Sequence, residues 1–225
     1  MSATDTADAA GALAVTEFQG LYASAPEPLP FGRALHARAF LLAREHGNLL
    51  VYSVPGLRSG GRDLDSLGGV SRQYLNHGHE AMFASEAEMA PLFVHERDRT
   101  AVERRAHVRA TFSRRHLLDD DFDVIPTPGH TPGATAYLWS GRGGRFLFTG
   151  DTIYLSDGEW RAAVLDSSDR DSYIDSLELI RGLDFDVLVP WISSARGPYL
   201  DAVTHEEARG RIDAIVERLR RGESR

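Results

Sequence analysis

Three short apolar runs, FDVIPT from Phe122, ATAYLW from Ala134 and RFLFTG from Arg145, are parted only by the turn formers PGHTPG and SGRGG. Runs of this length, bounded by proline and glycine, read as consecutive β-strands. An amphipathic stretch, SYIDSLELIRGL, and a continuous apolar run, FDVLVP, come next and read as a helix and a buried strand. THEEARGRIDAIVERLRR closes the chain as a surface helix, with acids early and arginines late, the polarity its dipole favours. Strands that return to one sheet and helices that cover it define a mixed α and β architecture.

The first half repeats the theme. ARAFLLAREHGNLLVYSVPG carries two apolar runs around Glu45-His46-Gly47-Asn48, a β-hairpin with glycine at the turn. After the loop Arg58 to Arg62, DLDSLGGVSRQYLNHGH reads as a short helix, a glycine break and a strand ending near Asn76. EAMFASEAEMAPLFV has helical spacing, with Met82, Phe83 and Met89 on one rough face. In ERDRTAVERRAHVRATFSRRH, Glu96, Asp98 and Glu103 interleave with arginines, so the stretch reads as a solvated helix face rather than an anion-binding patch. No linker and no repeat interrupts this order, so residues 15–225 read as one domain behind a frayed tail, 1–14.

Composition limits the chemistry. The 225 residues are enough to bury a substantial core. There are no cysteines, so disulfides, thiolate metal sites and cysteine nucleophiles are excluded together. The formal charge of −8 argues against nucleic acid as a partner, because phosphate binding needs a cationic face. No apolar run approaches the ~20 residues of a membrane span. MSATDTADAAGALA lacks the basic start and long apolar core of a secretory signal. The expectation is a cytoplasmic protein acting on a small molecule, with its oligomeric state open.

Any metal must then be held by histidine and carboxylate, and four residues stand on loops at strand ends, where a sheet fixes such geometry: His77, His79, His130 and Asp151. Gly78 lets the chain bend so that both rings of the His-Gly-His pair can face one ion. His130 is held between Pro128-Gly129 and Pro132-Gly133. Each residue has a plainer account on its own. A histidine in a turn is usually a hydrogen-bonded surface group, and an aspartate after a strand is often a helix cap.

Taken in order, NHGHEAM, DVIPTPGHTPGATAYLW and RFLFTGDTIY resemble the metal-binding loops of the metallo-β-lactamase superfamily, over roughly Ala37 to Arg220. The resemblance implies a four-layer αββα sandwich with the site at one edge of its paired sheets. It also implies that His77, His79 and His130 are first-metal ligands and Asp151 a bridging carboxylate. The departures are local. Ala81 and Met82 stand where the family motif has Asp and His, and WISSARGP follows the strand after which a last metal histidine is expected. Ala cannot ligate, and Met suits copper(I) better than zinc. Glu80 lies one position off, as a candidate for proton handling beside Asp151.

The implied centre is therefore mononuclear, with zinc expected and iron(II) an alternative, since histidines plus one carboxylate suit both. Zinc so held lowers the pKa of its water towards ~7. Three readings stay open: a hydrolase of ester, thioester or lactone bonds, an iron-dependent oxygenase like the superfamily's persulfide dioxygenases, and a metal-free relative that only binds. Trp191 and Ile192 are expected to fill the vacated second-metal space or to wall the substrate. Arg196, with Ser193 and Ser194, is a candidate for a substrate carboxylate or part of a loop bonded to itself. Trp160 and Asp166 read as pocket lining or surface packing, and His36, His46, His95, His107, His116 and His205 as structural.

Overall fold

The computed structural model describes residues 13–55, 61–84 and 90–223. Its strands, numbered in chain order, form three sheets. The first contains β1 (Ala14–Val15), β2 (Leu21–Ala23), β5 (Phe40–Leu42), β6 (Leu49–Val51), β7 (Arg72–Tyr74), β8 (Leu92–His95) and β9 (Val108–Phe112), in that order. The second contains β10 (His116–Leu118), β11 (Phe122–Pro126), β12 (Thr135–Gly141), β13 (Gly144–Gly150), β16 (Val187–Pro190) and β18 (Asp201–Ala202). A third, ordered β15 (Glu159–Arg161), β14 (Tyr154–Ser156), β17 (Ile192–Ser194), β4 (Gly32–Ala37) and β3 (Glu27–Leu29), borders the pocket described below. The helices are α1 (Gly61–Ser66), α2 (Arg99–Glu103), α3 (Arg170–Arg181) and α4 (His205–Arg220).

Side-chain alternation explains the layering. Along β13, Phe146 and Phe148 enter one core while Leu147 enters another, and along β16 Val187 and Val189 are separated from Leu188 in the same way. The first set meets Phe40, Leu42, Leu50 and Tyr52 of the first sheet; the second meets Tyr173 and Leu177 of α3 and Ile212 and Val216 of α4. Both faces of the second sheet are therefore buried, as the continuous apolar run VLVP requires. On the outer side of the first sheet, Leu75, Leu92 and Val94 pack with Val102 of α2. The result is the expected αββα sandwich. Among the described residues no helix is long and apolar enough to cross a membrane.

Several elements depart from expectation. EAMFASEAEMAPLFV does not run as one helix: Gly78–Met82 is a 3-10 turn and Leu92–His95 a strand, while 85–89, with Met89, lie outside the described residues. Leu92 and Val94 alternate with Phe93, and strand period wins because Leu92 pairs with Gln73 in the sheet interior. In the arginine-rich stretch only Arg99–Glu103 is α-helical; Val108–Phe112 forms the edge strand, with buried Val108 followed by exposed Arg109, Ala110 and Thr111. ISS is not a self-bonded loop but β17, paired with β4 at Ile192–Ala37 and with β14 at Leu155–Ser193. Residues 1–12 of the expected tail and 56–60 of the arginine-glycine loop lie outside the described residues, and Ala14 pairs with Ala23.

Candidate metal centre

The two histidine loops are fastened to each other by one carboxylate. Beyond β7 the chain turns at Gly78, whose N–H donates to Asp98 Oδ2 at 2.8 Å. Thr131 Oγ1 donates to the same oxygen at 2.6 Å, and the Gly133 N–H donates to Asp98 Oδ1 at 2.9 Å. A Cβ on Gly133 would stand 2.6 Å from Asp98 Cγ, so only glycine permits this approach. The other side of the His130 loop rests on α3, where Ser176 Oγ donates to the Pro128 carbonyl at 2.7 Å. Gly129, at φ +145°, lies so near Tyr173 that a Cβ would be 2.4 Å from its Cα.

Hydrogen bonds also set which ring nitrogen faces inward. His130 Nδ1–H donates to the Ala163 carbonyl at 2.6 Å, leaving Nε2 as a lone pair. His77 Nδ1 lies 3.1 Å from Asn76 Oδ1 and 3.2 Å from Glu80 Oε1, both acceptors, so its Nε2 is likewise unprotonated. Asn76 is fixed in turn by donating from Nδ2 to the Thr135 carbonyl. His79 Nδ1 lies 3.0 Å from His130 Nε2, and one nitrogen from each of the three rings falls within a 4.8 Å span. Asp151 Oδ2 is 3.5 Å from His77 Nε2 and 3.6 Å from His130 Nε2.

Burial pushes the basicity of His77 far down and of His79 and His130 down, with neighbouring imidazoles adding to the effect at the first two. Burial pushes the Asp151 carboxyl up to about 7. Among the described residues five buried side-chain atoms have no hydrogen-bond partner, and His77 Nε2 and Asp151 Oδ1 are two of them, with Glu80 Oε2, Thr127 Oγ1 and Thr152 Oγ1 the others. Neutral imidazoles converging with a carboxylate, and buried polar atoms left unpaired at the point of convergence, form a donor set that fits a divalent cation.

The family model of the metallo-β-lactamase superfamily matches residues 39–190. The chain belongs to the metallo-β-lactamase superfamily. Its fold resembles that of the metallo-β-lactamase from Hirschia baltica, with a TM-score of 0.66 at 13% identity over 91% of this chain and 97% of that one. A metallo-β-lactamase family protein from Thermus thermophilus gives 0.62 at 17% over 90% and 80%. AidC, described as a dizinc quorum-quenching lactonase, gives 0.53 at 13% over 76% of each chain. These likenesses show the shared fold. No curated protein matches the sequence.

Within the superfamily scaffold, the other sequence candidates are dispersed. Glu80 lies behind the ligands, fully buried, with Oε1 accepting the Asn76 N–H at 2.7 Å and the His77 N–H at 3.2 Å. Burial holds its carboxyl well above the usual range, and the Asp151 carboxylate pushes the same way. Ala81 is buried, whereas Met82 and Trp191 line a cavity of about 640 Å³ in whose wall His79, His130 and Asp151 lie. The Trp191 ring meets His77 edge-on at 5.3 Å, and its Nε1–H donates to the Ser53 carbonyl at 3.1 Å. Arg196 and Asp166 are exposed and outside the cavity lining. Trp160 packs instead beside α4, donating to Asp201 at 2.7 Å.

Sequence reasoning passed over Asp98, which it placed on a solvated face; it is 4% exposed. Its only signal was an acid between arginines, and nothing in the local pattern marks it as the partner of loops 20 and 35 residues away. Asn76, directly before the histidine pair, was seen only as a strand end.

Proposed function

We propose that this chain is a mononuclear metallohydrolase in which His77, His79 and His130, with Asp151, hold one ion, zinc before iron, facing an ester, thioester or lactone-like substrate. The observation that carries the reading is the convergence of three imidazoles within 4.8 Å, with the buried His77 Nε2 unpartnered among them and Asp151 Oδ2 3.5 Å from it. An ion bound there supplies Lewis acidity to a carbonyl oxygen and to water. The chain's own groups do the rest. Glu80 and Asn76 fix His77, the Ala163 carbonyl fixes His130, and Asp151, a residue of the cavity wall, would take up a proton from water. Ala81 and Met82 offer no second set of hard donors, which supports one ion rather than two.

The 3.0 Å approach of His79 Nδ1 to His130 Nε2 also suits a metal-free molecule, in which His79 donates to His130. That arrangement gives His77 Nε2 and Asp151 Oδ1 no partner, and for this reason the metal reading is preferred.

Elemental analysis of protein purified without added metal is the test. Close to one zinc per chain is expected, falling to background in His130→Ala, with ester or lactone turnover falling in step. Less than roughly a tenth of an equivalent would favour the metal-free reading. Iron in place of zinc, with oxygen uptake on a thiol substrate, would move the assignment to the oxygenase.

A further inference from the structure

The hairpin that roofs the cavity carries a second polar feature. In the β14–β15 pair, Tyr154 stands opposite Arg161 and Leu155 opposite Trp160. Cross-strand partners share a face and successive residues alternate, so Leu155 and Trp160 point into the helix-side core while Tyr154 and Arg161 point the other way. Both line the cavity that holds the histidine cluster. Apart from Ser156, Asp157 and Ser194, the rest of the lining away from the cluster is apolar, including Leu29, Leu35, Val164 and Ile192.

Arg161 is half-buried, yet its guanidinium makes no ion pair or hydrogen bond with any described residue, and neither does the Tyr154 hydroxyl. Asp157, the cavity's other acid besides Asp151, instead accepts from Ser194 Oγ at 3.1 Å. Elsewhere arginines that reach inward are paired: Arg44 with Asp121, Arg181 with Asp213, Arg211 with Asp201. The position relative to the cluster is set by the backbone. Arg161 precedes by two residues Ala163, whose carbonyl holds His130, and Arg161, His79 and His130 line the same cavity.

We infer that Arg161, with the Tyr154 hydroxyl, forms an anion subsite that selects substrates carrying a carboxylate on an otherwise apolar body. The guanidinium fork offers two parallel N–H donors to a carboxylate, and the phenol a third. The proposal rests on the hydrolase reading for the identity of the bond broken, but binding at the subsite can be measured without turnover.

Two experiments separate these. In the first, the metal-loaded protein is given 4-nitrophenyl butyrate and the 4-nitrophenyl monoester of glutaric acid, which differ by a terminal carboxylate. The wild type should favour the acid by about tenfold or more in kcat/KM, the range of a hydrogen bond to a charged group. Arg161→Leu should abolish that preference by raising KM for the acid far more than for the neutral ester, and Arg161→Lys should restore part of it, lacking the fork. Equal losses on both esters, or no preference in the wild type, would overturn the subsite. In the second, hexanoate and 1-hexanol are titrated into chelator-treated wild type and Arg161→Leu. Hexanoate binding weakened about tenfold by the substitution, with hexanol indifferent to it, upholds the subsite even if neither ester is turned over. Hexanoate binding untouched by Arg161→Leu overturns it, whatever the hydrolase assays give.

Discussion

At the scale of single residues, the centre depends on side chains that touch no substrate. Asp98 accepts from Gly78, Thr131 and Gly133, three donors with no other described acceptor in their loops. Asp98→Ala leaves them buried and unsatisfied, and the expected loss is about 3 kcal/mol or more, since each orphaned group costs ~1–3 kcal/mol. Urea unfolding with an unchanged m-value would show it; a loss under ~1 kcal/mol would mean that water replaces the carboxylate without cost. Asp151 sets the pH dependence. Its folded-state carboxyl titrates at about 7 against 3.8 in the unfolded chain, so metal-free protein binds this proton more tightly when folded. The group's contribution to stability therefore falls as pH rises from about 4 to about 7. An ion must displace that proton, whereas burial already favours the neutral form of the histidines. Zinc affinity should rise with pH as Asp151 gives up its proton on the way to about 7. Calorimetry at pH 6 in buffers of differing ionisation heat should find close to one proton released by the wild type and almost none by Asp151→Asn; equal release by the two would remove Asp151 from the ligand set.

At the scale of elements, buried tyrosines join the strands that present the ligands. Tyr52, just past β6 at φ +72°, donates to the Val189 carbonyl of β16 at 2.6 Å and accepts the Gly150 N–H of β13 at 2.8 Å. Gly150 itself, at φ +57°, passes so close to Asn76 that any Cβ would overlap its side chain. Tyr52→Phe removes the acceptor and should cost ~1–3 kcal/mol through the stranded Gly150 N–H. It should also weaken zinc binding, because Asp151 follows directly; a destabilised protein with unaltered affinity would show that β13 holds its end without this bond. These elements were legible to different degrees. FDVIPT, ATAYLW, RFLFTG and VLVP declared themselves because both faces of the sheet are buried and each run is long enough to carry its period. PLFV did not, since it follows a stretch of helical spacing and only pairing with β7 decides it. The β14–β15 hairpin was missed because its inward residues, Leu155 and Trp160, are separated by polar turn residues, and its outward ones serve the cavity rather than the core. His77, His79, His130 and Asp151 were legible as strand-end residues within recognisable loops. Asp98 and Arg161 were not, since their meaning lies in partners far along the chain or in having none.

At the scale of the molecule, the four candidate ligands come from two sheets that meet through apolar packing and through a few hydrogen bonds, those of Tyr52 and Asn76 among them. His77 and His79 leave the first sheet after β7, while His130 and Asp151 leave the second between β11 and β12 and after β13. An ion shared by all four would clamp the sandwich at one edge, and would bind only when both sheets are in place. Unfolded chain offers no such convergence, so binding free energy adds to folding free energy. With free zinc at a hundred times its Kd the added stability is ~2.7 kcal/mol, which for a chain of this size raises Tm by roughly 5–10 °C. Chelation should reverse that rise in the wild type. His130→Ala separates the clamp from the packing, because the hydrophobic layers do not include His130. The variant should melt near the chelated wild type and respond to neither zinc nor chelator. A wild type whose melting is indifferent to both would mean that the edge of the sandwich is closed by the imidazoles themselves, with His79 donating to His130 and no ion between them.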